Sequence, residues 1–195
     1  AWESMERDGY EADKIRLFVM NLKTGEKKEY TKDFDQNVGG LSWADDNTIY
    51  FISDYHATDE IYKLTLNDGK IDKLTEGVHN YTSVIPVNDY LIATKVSMSK
   101  PAEIYKVDPT TGKDTELSFV NKGILDQLTM GKVESRWIKT TDNKQMLTWV
   151  IYPPHFDPNK KYPAILYCEG GPQSTVSQFW SYRWNFQMMA ANGYI

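Results

Sequence analysis

Short runs of alternating apolar and polar residues, separated by polar turns, dominate the first 120 positions. In Ile61-Tyr62-Lys63-Leu64-Thr65-Leu66 the residues Tyr62, Leu64 and Leu66 fall on one face and Lys63 and Thr65 on the other, the period of a β-strand. The same grammar recurs in Leu17-Phe18-Val19-Met20-Asn21-Leu22 and Ile104-Tyr105-Lys106-Val107-Asp108-Pro109. Each run reaches a glycine, Gly25, Gly69 or Gly112, and these lie 44 and 43 residues apart. A second short strand follows each glycine and ends at Tyr30-Thr31, Leu74-Thr75 or Leu117-Ser118. Each unit therefore predicts a hairpin whose Gly supplies the positive φ of the turn.

Two more strands precede the second hairpin, Leu41-Ser42-Trp43-Ala44 and Thr48-Ile49-Tyr50-Phe51-Ile52, around Asp45-Asp46-Asn47. Ser83-Val84-Ile85-Pro86-Val87 and Tyr90-Leu91-Ile92-Ala93-Thr94-Lys95-Val96 do the same for the third. Four antiparallel strands at this period fit β-propeller blades, two complete and the second half of another; an ordinary antiparallel sandwich is the alternative. Three units are too few to close a ring, so the remainder of a propeller is expected outside this span.

The pattern changes near Asn121. Residues 123–131 read as a linker, which puts a domain boundary between 1–122 and 123–195. A further hairpin is predicted from Val133–Lys139 and Met146–Tyr152, followed by a Pro-rich connection. Tyr162-Pro163-Ala164-Ile165-Leu166-Tyr167-Cys168 reads as a strand buried on both faces, and it ends at Glu169-Gly170-Gly171-Pro172. Large apolar groups at Trp180, Trp184, Met188 and Ala191 have helical spacing, and Asn192-Gly193 stops that helix before another strand begins at Tyr194-Ile195. Strand, glycine loop, helix and strand is how an α/β layer starts. The chain reads as an excerpt of a longer polypeptide, beginning and ending inside elements.

Composition narrows the function classes. The 195 residues carry 22 basic and 27 acidic side chains, a net charge of −5 without a Lys/Arg run, which argues against nucleic acid as a partner. One cysteine, Cys168, allows no intrachain disulfide and no cysteine-rich metal cluster. No apolar stretch approaches the roughly 20 residues of a membrane helix, so no membrane insertion is expected. Thirteen Tyr, seven Phe and six Trp suit sheet faces that need large flat groups. His56, His79 and His155 sit in turns without partners at ligand spacing and read as solvated or packed loop residues, so no metal and no cofactor are implied.

Blades running into a hairpin, Tyr152-Pro153-Pro154, the run Tyr162–Tyr167, Glu169-Gly170-Gly171-Pro172 and the exit Ala191-Asn192-Gly193-Tyr194 together resemble the prolyl oligopeptidase family of serine peptidases. The similarity covers essentially the whole chain and points to the dipeptidyl peptidase and acylaminoacyl peptidase branch. It implies the last propeller blades followed by the start of an α/β-hydrolase domain, with short peptides as substrates, a periplasmic or secreted location and room for a homodimer. It also implies release of N-terminal dipeptides through an acyl-enzyme, with acylaminoacyl peptidase activity as the alternative. Of a different class is the second alternative, a non-catalytic propeller that binds partners.

Glycines after such a strand let backbone N–H groups approach an oxyanion. Gly171 is the first choice for that donor and Gly170 the second, against a bare tight turn. Relatives carry His before the glycines; Glu169 stands there instead, which removes any imidazole contact but leaves a backbone donor intact. Ser174, Ser177 and Ser181 lack the G-x-S-x-G elbow, so the catalytic Ser, Asp and His are expected beyond Ile195 and this span alone is expected to be inert. A dipeptidyl peptidase also needs a carboxylate for the substrate amine. Glu6 and Glu11 are the candidates, in a charged loop with Glu3, Arg7, Asp8, Tyr10 and Asp13 that also reads as simply solvated; Asp54–Glu60 ranks below them.

Overall fold

The computed structural model describes residues 1–168, 170 and 174–195. Three units of antiparallel strands account for the first 116 residues. The first contains β1 (Trp2–Ser4), β2 (Arg16–Met20) and β3 (Lys27–Glu29), paired in that order. It thus has one strand more than the sequence indicated, and Glu3 lies within it, opposite Leu17. The second unit is β4 (Gly39–Asp45), β5 (Thr48–Tyr55), β6 (Thr58–Thr65) and β7 (Lys70–Lys73). The third is β8 (Asn80–Val87), β9 (Tyr90–Ser97), β10 (Lys100–Val107) and β11 (Asp114–Glu116). One parallel bridge, Asp59 to Asn80, joins the second unit to the third. Among the described residues the units do not close into a ring.

The predicted hairpins repeat in atomic detail. The N–H groups of Gly25, Gly69 and Gly112 donate to the carbonyls of Asn21, Thr65 and Asp108 at 2.8, 2.9 and 2.9 Å, with φ of 73°, 71° and 70°. Two cores form on opposite faces of the second unit. Leu17, Val38, Ile49, Phe51, Tyr62 and Leu64 fill the space toward the first unit, where Phe51 stacks on Tyr62 and Phe34 meets both edge-on. Tyr50, Ile61, Tyr81, Val84, Leu91, Ala93 and Val107 fill the space toward the third. Glu60, Ile61 and Tyr62 are therefore buried in succession, which a strict two-residue alternation does not foresee. The third unit has such a neighbour on one face, and β10 alternates cleanly from Pro101 to Val107, leaving Ile104 exposed.

After this come a single helical turn, α1 (Lys122–Leu125), and the expected hairpin of β12 (Val133–Lys139) and β13 (Gln145–Ile151). Two expectations fail beyond it. Residues 162–168 form no strand ladder among the described residues and are largely exposed, Leu166 at 83%. Among the described residues, Pro163 and Ile165 share one backbone partner: Ile195 N–H donates to Pro163 O at 3.0 Å and Ile165 N–H to Ile195 O at 2.8 Å. That alternation is the parallel hydrogen-bond pattern, limited to a single bridge.

The helix, α2 (Phe186–Ala191), is shorter than its apolar spacing suggests. Asn185 fixes its start by accepting the Met188 N–H on its side chain, so Trp180 and Trp184 precede it. Its buried residues are Phe186, Gln187 and Ala190; Met188 and Ala191 face outward.

Glycine is required unequally at the repeated turns. A Cβ on Gly25 would meet open space, whereas one on Gly112 would lie 1.9 Å from the Leu74 carbonyl oxygen of the preceding unit. Gly25→Ala should therefore cost about 1–2 kcal/mol for its left-handed backbone alone. Gly112→Ala should cost clearly more, because two units must also separate, and urea denaturation of the pair would reveal the difference.

Candidate functional site

A polar seam fastens residues 174–191 to the turns of the second and third units. Asn80, at the start of β8, is 2% exposed and works as its joint. Its Nδ2 donates to Ser177 Oγ at 2.7 Å, and its Oδ1 accepts the N–H groups of Gln178 at 3.0 Å and Asp59 at 3.2 Å. Gln178 in turn accepts the Met98 N–H through Oε1 at 3.3 Å, at the turn between β9 and β10. Thr175 Oγ1 donates to Asp54 Oδ1 at 3.3 Å.

Gln187 makes the second fastening. Its Oε1 accepts the Gly131 N–H at 2.7 Å, while Nε2 donates to Gly131 O at 3.0 Å and to Ser99 Oγ at 2.8 Å. One buried amide thus joins the helix, the linker and the third unit. Gly131 has no space for a side chain, since a Cβ would stand 1.8 Å from Tyr152 O. Tyr167 packs edge-on against Phe186, with ring centroids 5.2 Å apart, and so ties the extended segment before the glycines to the same helix.

Of the two oxyanion candidates, Gly171 lies outside the described residues, as does Glu169. Gly170 is exposed, its carbonyl accepts Ser174 Oγ at 2.8 Å, and the space beside its α-carbon is open. Glu6 and Glu11 are exposed on the loop between β1 and β2. That loop is organised by its neighbours: Arg7 pairs with Asp13 at 2.5 Å and lies over the Tyr10 ring, 3.7 Å from its centroid. The structure thus does not bring Glu6 and Glu11 together with Gly170 through any described contact.

The histidines divide. His79 packs edge-on against Tyr81 and sits 3.4 Å from Glu60, whereas His56 and His155 occupy turns with φ of 50° and 58°. No group of three potential ligands gathers to hold a metal among the described residues. No helix among them is long and apolar enough to cross a membrane.

A repeated pair of buried carboxylates escaped the sequence reading. Glu60 accepts from Thr75 Oγ1 at 2.6 Å, from Thr58 Oγ1 at 3.1 Å and from the Gly77 N–H at 3.1 Å. Glu103 accepts from Ser118 Oγ and from the backbone and side chain of Asn121 at 3.0 and 3.2 Å. The signal was present as Glu before Ile61 and before Ile104, 43 residues apart; the first unit has Arg16 there, beside Glu29. Burial works against ionisation of Glu103, but the donors of Ser118, Asn121 and Val120 outweigh it and hold the carboxyl at about 2.

No family model matches the chain. Among curated proteins it is 50% identical to dipeptidyl-peptidase 5 of Porphyromonas gingivalis and 48% identical to that of Porphyromonas endodontalis, over its whole length in both cases. It spans 29% and 28% of those proteins. Among solved structures, an acylaminoacyl peptidase of Pyrococcus horikoshii superposes with a TM-score of 0.76 at 23% identity, over 93% of this chain and 27% of that one. Porphyromonas gingivalis dipeptidyl peptidase 4 gives 0.67 at 21%, over 92% and 26%. These structural likenesses concern the fold, which corresponds to the propeller part of such peptidases. The chain is a homologue of part of a dipeptidyl peptidase, and the resemblance to the prolyl oligopeptidase family is borne out.

Two measurements test the geometry. Glu103 has a carboxyl held below its ordinary 4.5, so its contribution is complete above that pH and is lost as pH falls toward about 2. Glu103→Gln should cost about 1–3 kcal/mol at pH 7 and should flatten the loss of stability over that acid window. Gln187→Ala, which strands both polar groups of Gly131, should lower thermal stability by about 1–3 kcal/mol.

Proposed function

We propose that this chain is the end of a β-propeller, residues 1–122, and the opening of an α/β-hydrolase domain, residues 123–195, of a serine exopeptidase that releases N-terminal dipeptides from short peptides. Identity of 50% over the whole of this chain to 29% of a protein named dipeptidyl-peptidase 5 carries this reading. The parallel bonding of Pro163 and Ile165 with Ile195, in a segment outside the antiparallel units, supports an α/β layer.

In the proposed reaction the acyl-enzyme forms on a serine outside this span, while the backbone N–H of Gly171, or of Gly170, faces the oxyanion of the tetrahedral intermediate. Such a donor has to be rigid to act before the charge develops. The Ser174 bond to the Gly170 carbonyl and the anchoring of Ser177 and Gln178 on Asn80 supply rigidity on that side of the loop. Blade turns packed against the same segment would limit entry to short chains, and Glu6 or Glu11 would pair with the free substrate amine. A periplasmic or secreted location accompanies this reading.

Fluorophosphonate labelling of the parent polypeptide, with mapping of the adduct, tests it. One labelled serine C-terminal to Ile195, together with dipeptide release from short peptides, is the expected result, and residues 1–195 alone should neither label nor turn over substrate. A folded but unlabelled parent would favour a binding propeller.

A further inference from the structure

Most sheet edges in this chain are blunted. The outermost strands β3, β7 and β11 span only three or four residues, most of them charged, and the ladder of β4 is interrupted by two register shifts. β12 carries none of these devices. Its seven residues pair with β13 in unbroken register, include no proline and are exposed from Ser135 to Lys139. Trp137 meets the His56 ring edge-on yet keeps 53% exposure, and Ile138 keeps 44%. β13, by contrast, is half-buried from Leu147 to Ile151, and α2 lies beside it. Backbone direction agrees with this difference. At the two ends of the ladder the Tyr152 N–H donates to Lys132 O and the Thr140 N–H to Lys144 O, both at 2.9 Å. Even-numbered residues of β12 therefore turn their backbone groups to β13, while Val133, Ser135, Trp137 and Lys139 turn theirs outward. Among the described residues no other strand pairs with β12.

We propose that β12 is the pairing edge for a second copy of this chain, related by a two-fold axis at Ser135, so that two hairpins join into one continuous antiparallel sheet. The order of side chains along the strand identifies the partner, because it is complementary to itself. Antiparallel pairing about Ser135 sets Glu134 opposite Arg136 of the second copy and Arg136 opposite its Glu134. On the other face it sets Val133 opposite Trp137, again twice. Opposed residues of an antiparallel pair have Cβ atoms about 4.5–5.5 Å apart, close enough for both the charges and the apolar groups to meet.

Charge selects this axis over its neighbours. An axis at Glu134 would oppose two carboxylates and one at Arg136 two guanidinium groups, although the backbone would tolerate either. The chosen register also pairs outward-facing backbone with outward-facing backbone: Val133 with Trp137 and Ser135 with Ser135, each pair exchanging two N–H···O bonds. Within its own strand Glu134 already lies 2.6 Å from Lys132 and 3.0 Å from Arg136. Arg136 also donates to the Tyr152 hydroxyl, and its guanidinium fork has donors to spare for a second carboxylate. This surface is independent of the peptidase reading, since it involves none of the residues assigned to that chemistry.

Sedimentation of the folded parent polypeptide across a dilution series measures the association, and a reversible dimer is expected. Glu134→Arg and Arg136→Glu each set like charges face to face on both sides of the axis, so each should weaken the dimer about tenfold or more. Mixed together, the two single variants are complementary again, and a heterodimer of near-parental affinity should form. A defect of folding alone would not be repaired by mixing. The double variant Glu134→Arg/Arg136→Glu should dimerise with itself but not with the parent, and it carries the test if a single variant fails to fold. A monomeric parent, single reversals that leave the affinity unchanged, a mixture that stays monomeric, or a double variant that pairs with the parent would each overturn the proposal.

Discussion

The structure depends on satisfying one backbone group wherever the chain leaves a blade. The last strand of each unit must depart its ladder to begin the next unit, and its departure orphans an N–H on the strand before it. A hydroxyl takes the place of the missing carbonyl every time: Thr31 for Leu17, Thr75 for Ile61 and Ser118 for Ile104, at 2.8, 2.9 and 2.8 Å. The site is buried in the first two units, where an unpaired N–H would cost about 1–3 kcal/mol, comparable to a large fraction of a domain's net stability. In the second and third units a buried carboxylate then orients that hydroxyl and binds the onward chain at Gly77 or Asn121. Strand end and crossing segment are thereby fixed together.

That junction determines where Asn80 stands. The chain from Thr75 to Gly77 is held by Glu60, and three residues later Asn80 opens β8 beside Asp59. Because Asn80 presents both amide atoms to residues 177 and 178, the placement of the C-terminal segment descends from the crossing between two blades. The apolar cores on the two faces of the second unit supply most of the burial, but dispersion and area set no register. Directional bonds at the crossing do.

The repeated hairpins were legible because glycine spacing, strand alternation and turn chemistry all pointed to the same arrangement at 44 and 43 residues. The pairs Tyr30-Thr31, Leu74-Thr75 and Leu117-Ser118 were visible as strand ends, although the role of their hydroxyls was not. Alternation marks which face is apolar, whereas Glu60 and Glu103 are polar residues whose partners lie 15 positions away. Residues 162–168 misled because an apolar run encodes the capacity to be buried, and Pro163 and Ile165 meet a single backbone partner, Ile195. The helix was misplaced for a local reason: Asn185 is a strong N-cap, and capping overrode the spacing of Trp180 and Trp184. Of the site, the glycines were singled out as oxyanion donors and the serines of residues 174–181 were set aside as nucleophiles, but the seam of Asn80, Gln178 and Gln187 joins residues 56 to 98 positions apart and left no motif.

Six residues make too short a helix to persist through its own hydrogen bonds, since nucleation alone is unfavourable. α2 exists because Asn185 caps it, Phe186 meets Tyr167 and Phe179, and Gln187 closes on Gly131 and Ser99. The segment leading into the glycine loop is therefore held through Tyr167 by a helix that is itself anchored on the third unit, and the segment leading out is held by Asn80 and Met98. Both approaches trace back to turns of the blades. Turns remote in sequence from Gly170 thus hold the described residues on either side of it, Tyr167 through α2 and Ser177–Gln178 through Asn80 and Met98.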